Sequence, residues 1–135
     1  MCRATLAKVC DPVHPDDPRI RGVHHAIWCD DAVDGAADGR GAVFYGDKAI
    51  DPSPGGTGTS ARMAQLFGKG RLTLGQSFKN QSLIGTVFDG RVEDIVEVGE
   101  FQAIVPSIGG WARIIGHNTI FVEDRDPLAH GFQIG

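Results

Sequence analysis

The chain has 135 residues, 41% of them hydrophobic and 22% charged, and a formal net charge of −4. This size suits one domain with a modest core. The acidic balance and the absence of basic runs argue against nucleic-acid binding. No apolar stretch approaches the roughly 18 residues of a membrane span, and the N-terminus becomes too polar after Val9 for a signal peptide. We therefore expect a cytoplasmic protein that does not bind membranes.

The first half of the chain predicts two strands and one helix. A turn-rich start over 11–18 precedes a strand over 23–28, and a loop rich in Asp, Gly and Ala over 30–41 leads to a strand over 42–45. The clearest helix is 60–67, which is apolar over most of its circumference, with Thr59 or Ser60 as its N-cap and Gly68 as its C-terminal stop. Such a helix must be surrounded by other structure.

The second half predicts a sheet. Short runs rich in β-branched and aromatic residues, broken by glycine, indicate several antiparallel strands. These runs are 83–88, 92–98, 102–105 and 112–122. Trp28 and Trp111 lie in apolar strands and are predicted to be core residues. The fold class is therefore mixed α and β.

A metal or disulfide framework is not expected. Cys2, Cys10 and Cys29 form an odd set without C-x-x-C spacing, which favours free thiols. The adjacent His24 and His25 on a strand would point to opposite faces, so only one of them could be a ligand.

The most informative segment is a glycine-rich loop that opens the predicted helix. Gly55, Gly56 and Gly58 permit unusual backbone angles and close approach of a ligand to the main chain. The free amides and the positive end of the helix dipole favour an anion, and a carboxylate in particular is expected. On composition alone, an ordinary cap or turn explains the loop equally well.

The same loop resembles a segment of the proline racemase family, which contains proline racemases, 4-hydroxyproline 2-epimerases and trans-3-hydroxyproline dehydratases. The resemblance extends over about residues 12–135 and is closest to the hydroxyproline epimerase branch in the tail. The residues that carry it are Asp51, Ser53, Pro54, Gly56, Thr57, Gly58, Thr59, Ser60, Ala61, Arg62, Met63 and Ala64, with similar segments at 20–26, 41–46, 82–90, 106–114 and 126–132.

The resemblance implies a diaminopimelate epimerase-like fold, in which two α/β lobes each aim a helix N-terminus at the substrate. The whole of 1–135 would be one partial domain, a mixed sheet or barrel wrapped around a central helix, with the first lobe absent. The missing first lobe implies either a complementing N-terminal half or a homo-oligomer as partner. No cofactor is implied, because the family abstracts the α-proton without one.

Site roles follow only where positions match the family. Asp51 resembles the carboxylate that holds the ring amine of the substrate, although an Asp before Pro52 also suits a simple turn. Gly56, Thr57 and Gly58 resemble the backbone that binds the substrate carboxylate. Pro52 stands where the family usually has arginine.

The critical departure is Gly55. The family's racemases and epimerases carry a catalytic cysteine there and its dehydratases a threonine, whereas glycine can neither accept nor donate a proton. Three functions therefore remain open. The chain is part of a proline racemase or 4-hydroxyproline 2-epimerase, or part of a dehydratase-like lyase that needs only one proton carrier, or a non-catalytic remnant that binds proline-like carboxylates.

Overall fold

A computed structural model describes residues 2–33, 35–45 and 49–131, apart from the side chains of Cys2 and Arg3. The described part contains helices α1 and α2 and strands β1 to β6. Their bounds are α1 Cys2–Val9, β1 Ala26–Asp30, β2 Gly39–Tyr45, β3 Ala49–Ile50, α2 Gly56–Gly68, β4 Ser77–Gln81, β5 Val87–Val98 and β6 Phe101–Gly109. The prediction of a mixed α and β fold is confirmed.

The six strands form one mixed sheet with the order β1-β2-β4-β5-β6, and β3 pairs with β2. All pairs are antiparallel except β2 and β4, which run parallel through Gly39–Asn80 and Arg40–Gln81. This parallel pairing requires a crossover, and α2 lies within it. The crossover therefore brings the start of α2 close to the middle of the sheet.

Helix α2 packs on the sheet through one side only. Its buried residues are Thr59, Met63 and Leu66, whereas Ala61 and Ala64 are exposed. Met63 and Leu66 join a core with Leu72, Phe78 and Val92, against which Ile104 and Ile108 pack. The expectation of a helix surrounded by structure is wrong for the described chain, because the sheet covers one face of α2 and leaves the other open.

Two glycines that were predicted to lie outside strands instead lie within them. Gly90 is buried within β5, and a Cβ there would lie 2.4 Å from Met63 Sδ. At Gly39 in β2, a Cβ would lie 3.0 Å from the ring of Phe78. These residues are glycine because core side chains occupy the space, so β5 runs unbroken for 12 residues and β2 begins three residues before its predicted start.

Other predicted boundaries also shift. The first strand lies at 26–30 rather than 23–28, the last strand extends over 101–109, and the polar strand β4 and helix α1 were not predicted. Gly68 is still the last residue of α2 and Lys69 is its C-cap, and Gly70 follows with φ 66° and an amide that donates to the Phe67 carbonyl at 2.8 Å. The predicted strand over 112–122 is absent, and every residue of that segment is exposed.

The two tryptophans are not core residues, which corrects the prediction. Trp28 is 58% exposed on the edge strand β1, and Trp111 is 59% exposed just after β6. Trp111 packs instead under the guanidinium of Arg113, 5.1 Å from the ring centre. In the described part of the chain, Cys10 and Cys29 are free and exposed, and no helix is long and apolar enough to cross a membrane.

The contact between Gly90 and Met63 predicts a large effect of a single methyl group. Gly90→Ala should lower the free energy of unfolding by ~1–3 kcal/mol, the usual cost of overpacking. Gly68→Ala is the matched control, because a Cβ there meets nothing within 4 Å. Urea denaturation followed by circular dichroism measures both. Equal midpoints for the two variants would contradict the packing described for α2 on β5.

Candidate functional site

The candidate site lies at the N-terminus of α2, where the helix begins at Gly56 and Gly55 is its N-cap. The first intrahelical bond runs from the Thr59 amide to the Gly55 carbonyl at 2.8 Å. The amides of Gly56, Thr57 and Gly58 precede that bond and have no carbonyl partner within the helix. They form the cluster of free donors that an anion prefers.

Neither predicted N-cap residue performs that role. The hydroxyl of Ser60 donates to the Gly56 carbonyl at 3.0 Å, one turn back in the same helix. Thr59 is buried, and its hydroxyl accepts a hydrogen bond at 2.9 Å from the side-chain amide of Asn80. The helix therefore starts four residues earlier than predicted. The N-cap Gly55 has no side chain that could accept a hydrogen bond from the free amides.

Asn80 on β4 fixes the loop to the sheet. Its side-chain amide reaches both Thr59 Oγ1 and, at 3.4 Å, the carbonyl of Pro54. Both side chains are almost completely buried, Asn80 at 1% and Thr59 at 0% exposure. Buried polar groups of this kind are costly to leave unpaired. Asn80 is thus a positioning residue that the sequence pattern did not reveal, since polar β4 carried no strand signal.

The close approach of α2 to β2 depends on Gly58. A Cβ at Gly58 would lie 2.7 Å from Val43 Cγ2, so that a side chain there would require α2 or Val43 to move. A Cβ at Gly56 would meet nothing within 4 Å. Position 58 is therefore glycine because α2 packs closely against β2 there. The space in front of Gly56 is open to a ligand.

Asp51 stands at the entry to this loop and forms the turn that the sequence allowed as its simpler role. Its Oδ1 accepts hydrogen bonds from the Ser53 amide at 2.8 Å and the Ser53 hydroxyl at 2.7 Å. The Gly55 amide in turn donates to the Ser53 hydroxyl oxygen at 3.1 Å. Within the described residues no hydrogen bond reaches Asp51 Oδ2. One carboxylate oxygen orders the turn, and the other is available.

Gly55 is buried and has φ 74°, a left-handed conformation that residues with a side chain rarely adopt. A Cβ on Gly55 would lie 3.4 Å from Asp51 Oδ2 and 3.1 Å from Val43 Cγ2. The structure thus brings Gly55, Asp51 and the three free amides together at one spot. A side chain at Gly55 would project between Val43 and the free oxygen of Asp51.

Potential metal ligands do not converge. In the stretches that the structure describes, no group of three or more His, Cys, Asp or Glu side chains is close enough to hold a metal ion. His24 Nε2 lies 2.8 Å from the Arg21 carbonyl, and His25 makes an edge contact with the Tyr45 ring.

The proline racemase family model matches residues 1–133. The chain belongs to the proline racemase family. It is 76% identical over 132 residues to the 4-hydroxyproline 2-epimerase 2 of Rhizobium rhizogenes K84, covering 98% of this chain and 40% of that protein. It is 57% identical over 122 residues to the 4-hydroxyproline 2-epimerase of Shewanella loihica, covering 90% of this chain and 37% of that one.

Two solved structures share the fold, each with a TM-score of 0.80 and 32% identity over 98% of this chain and 38% of theirs. One is a probable proline racemase from Agrobacterium radiobacter K84 with bound carbonate. The other is a hydroxyproline epimerase from Agrobacterium vitis with bound trans-4-hydroxy-L-proline. The predicted diaminopimelate epimerase-like fold is confirmed. The chain spans about 40% of the length of these relatives.

The two hydrogen bonds of Asn80 predict that this residue controls the stability of the loop. Asn80→Ala should lower the free energy of unfolding by ~1–3 kcal/mol, because Thr59 Oγ1 and the Pro54 carbonyl lose a buried donor. Asn118→Ala, at an exposed position, is the control and should change it little. Urea denaturation measures both variants. An unchanged free energy of unfolding in Asn80→Ala would contradict the positioning role of Asn80.

Proposed function

We propose that this chain is the carboxylate-binding lobe of a cofactor-independent isomerase of the 4-hydroxyproline 2-epimerase type, and that on its own it binds its amino acid without inverting it. One observation carries the proposal: the free amides at the start of α2 and the free oxygen of Asp51 lie around the same open space beside Gly55. The family and the names of the similar proteins give the class of reaction.

The proposed binding mode uses two opposite charges on one substrate. The amides of Gly56, Thr57 and Gly58 receive the carboxylate at the positive end of α2, with the Thr57 hydroxyl as a further donor. Asp51 Oδ2 accepts a charge-assisted hydrogen bond from the ring amine. The ligands of the solved relatives support this mode, since carbonate and the carboxylate of hydroxyproline both present planar, negatively charged oxygens.

Gly55 determines what the site does with a bound substrate. Inversion removes the α-proton on one face of the carbon and returns a proton on the other, so it requires two proton carriers. Each such group contributes typically ~10²–10⁴-fold to the rate. Glycine supplies none on the face next to α2. We therefore expect inversion to be severely impaired even in a two-lobed assembly.

The second proton carrier would come from a complementing first lobe of the same family. Residues 1–135 then act as one partial domain, and a small amino acid binds between the lobes in the cytoplasm. A dehydratase-like reaction tolerates Gly55 better, because eliminating a hydroxyl needs a base on only one face. Similarity to proteins named as epimerases favours the epimerase class.

Charge removal at Asp51 tests the binding mode. Asp51→Asn keeps an oxygen for the turn to Ser53 but loses the negative charge, so affinity for trans-4-hydroxy-L-proline should fall about tenfold or more. Asp31→Asn, at an exposed loop position, is the charge-matched control. Titration by NMR or calorimetry measures both. Unchanged affinity in Asp51→Asn, or no binding by the unmodified chain, contradicts the proposal.

Restoring a thiol tests the role of position 55. The unmodified chain should incorporate no solvent deuterium at the α-carbon of L-proline or trans-4-hydroxy-L-proline in proton NMR spectra. Together with the first part of the Rhizobium rhizogenes relative, Gly55→Cys should restore inversion, because a carrier in the first lobe alone can exchange the α-proton but cannot return it on the opposite face. Because Val43 crowds the new Cβ, Gly55→Cys with Val43→Ala should be more active than Gly55→Cys alone.

The control is Gly55→Ala with Val43→Ala, which has the same backbone strain but no thiol. Equal rates of inversion with cysteine and alanine at position 55, measured in the same two-part assembly, would show that position 55 is not the site of proton transfer. Exchange by the unmodified chain alone would identify a proton carrier other than a residue at position 55.

A further inference from the structure

A chain of hydrogen bonds in the turn before α2 connects Asp51 to Gly55 through the side chain of Ser53. The Ser53 hydroxyl donates to Asp51 Oδ1 at 2.7 Å and accepts from the Gly55 amide at 3.1 Å. The Ser53 amide donates to the same Asp51 oxygen at 2.8 Å. Ser53 is partly buried, where hydrogen bonds are stronger than in water. Its hydroxyl therefore joins the acidic group of the site to the residue that caps the helix.

Two prolines leave the turn with few other donors. Pro52 and Pro54 have no N–H, so only Ser53 and Gly55 can donate from the main chain between Asp51 and α2. Both of these amides donate within the same chain of hydrogen bonds. The proline rings also fix φ at their own positions and restrict the backbone of the residues before them, Asp51 and Ser53. The backbone is therefore stiff, and the contacts of Ser53 determine where the carboxylate of Asp51 points.

The amides at the start of α2 are held in place by other contacts. Asn80 fixes the loop through Thr59 Oγ1 and the Pro54 carbonyl, and neither bond involves the Ser53 hydroxyl. The helix itself fixes the amides that follow Gly55. A carboxylate that binds only these amides therefore does not depend on the side chain of Ser53.

The carboxylate of Asp51, in contrast, depends on Ser53. The amide of Asp51 donates to the Val43 carbonyl of β2 at 3.0 Å, which holds the main chain but leaves the side chain free to rotate. A hydroxyl that donates to a charged oxygen forms a strong bond, and a hydroxyl that donates is also a better acceptor. The charge on Asp51 therefore strengthens the bond that the Gly55 amide makes to Ser53.

We propose that Ser53 is a positioning residue that makes the site select amino acids over simple carboxylates. By holding Asp51 Oδ1, it directs Oδ2 towards the open space beside Gly55. The amine of an amino acid lies in that space when its carboxylate is bound by the amides of α2. This role rests on the proposed function and adds to it a residue that determines the class of substrate.

Two ligands that differ in one charge test this role by calorimetric titration. They are trans-4-hydroxy-L-proline and the matching hydroxycyclopentanecarboxylate, in which a CH₂ group replaces the ring nitrogen. Ser53→Ala should lower the affinity for the amino acid about tenfold, as loss of a hydrogen bond to a charged group does. It should leave the affinity for the carboxylate unchanged. Ser53→Thr keeps the hydroxyl and should bind both ligands as the unmodified chain does.

The control for loss of a serine hydroxyl is Ser77→Ala. Ser77 is exposed at the start of β4, and its substitution should change neither affinity.

Amide hydrogen exchange at Gly55, measured without ligand, follows the same chain of bonds. Ser53→Ala should speed this exchange about fivefold, because the Gly55 amide loses its acceptor. Asp51→Asn should also speed it, because the Ser53 hydroxyl then donates to an uncharged oxygen and accepts less strongly. The double variant should exchange no faster than Ser53→Ala, since both changes act through one hydroxyl.

Four results would overturn the proposal. These are equal losses of affinity for both ligands in Ser53→Ala, unchanged affinity for both, low affinity for the amino acid in Ser53→Thr, and additive effects of Asp51→Asn and Ser53→Ala on exchange at Gly55. If the unmodified chain binds neither ligand, the proposed function fails. The exchange rates still decide in that case whether Ser53 joins Asp51 to Gly55, so the two failures are distinguishable.

Discussion

The structure depends on the close approach of one helix end to one sheet. Helix α2 meets β2 at Gly58, where a side chain would collide with Val43, and the Asn80 amide holds the preceding turn through Thr59 and the Pro54 carbonyl. These contacts are steric and polar, whereas the core farther along the helix is apolar. Together they fix both the direction of α2 and the space that its free amides face.

Under the proposed function, the same arrangement separates binding from chemistry. The proposed binding uses backbone amides and one carboxylate oxygen, whose positions the fold determines. The proposed proton transfer would require a side chain at position 55, where this chain has glycine. Glycine there is compatible with the turn, because the hydrogen bond that Gly55 makes to Ser53 uses only its backbone amide.

The sequence predicted the loop and helix of the candidate site better than the strands around them. The glycine loop, Asp51 and the helix after them were recognisable because their residue types have local physical causes, namely positive φ, turn formation and amphipathic spacing. Gly39 and Gly90 were wrongly predicted to lie outside strands, because the reason for glycine at these positions is distant in sequence. Phe78 fills the space next to Gly39, and Met63 fills the space next to Gly90. Asn80 was missed for the same reason, since its partners lie more than 20 residues away.

The predictions of a strand over 112–122 and of two buried tryptophans were wrong for a further reason. Residues 112–122 have the composition of a strand, but a strand needs a neighbouring edge, and composition does not show whether one is present. Trp28 and Trp111 similarly have apolar neighbours in sequence but few in space. A residue pattern indicates which secondary structure a segment can form. Whether the segment forms it depends on the neighbouring structure that can pair with it or cover it.

One helix contributes both the principal core contacts and the free amides of the site. Met63 and Leu66 anchor the same α2 whose first residues face the open space. Folding and ligand binding are therefore thermodynamically linked, because a ligand held by those amides binds only when the helix is docked. At a concentration of about 100 times its Kd, such a ligand adds ~2.7 kcal/mol to the folded state. If the proposed amino acid binds there, it would also stabilise the packing of α2 on a sheet that covers only one side of the helix.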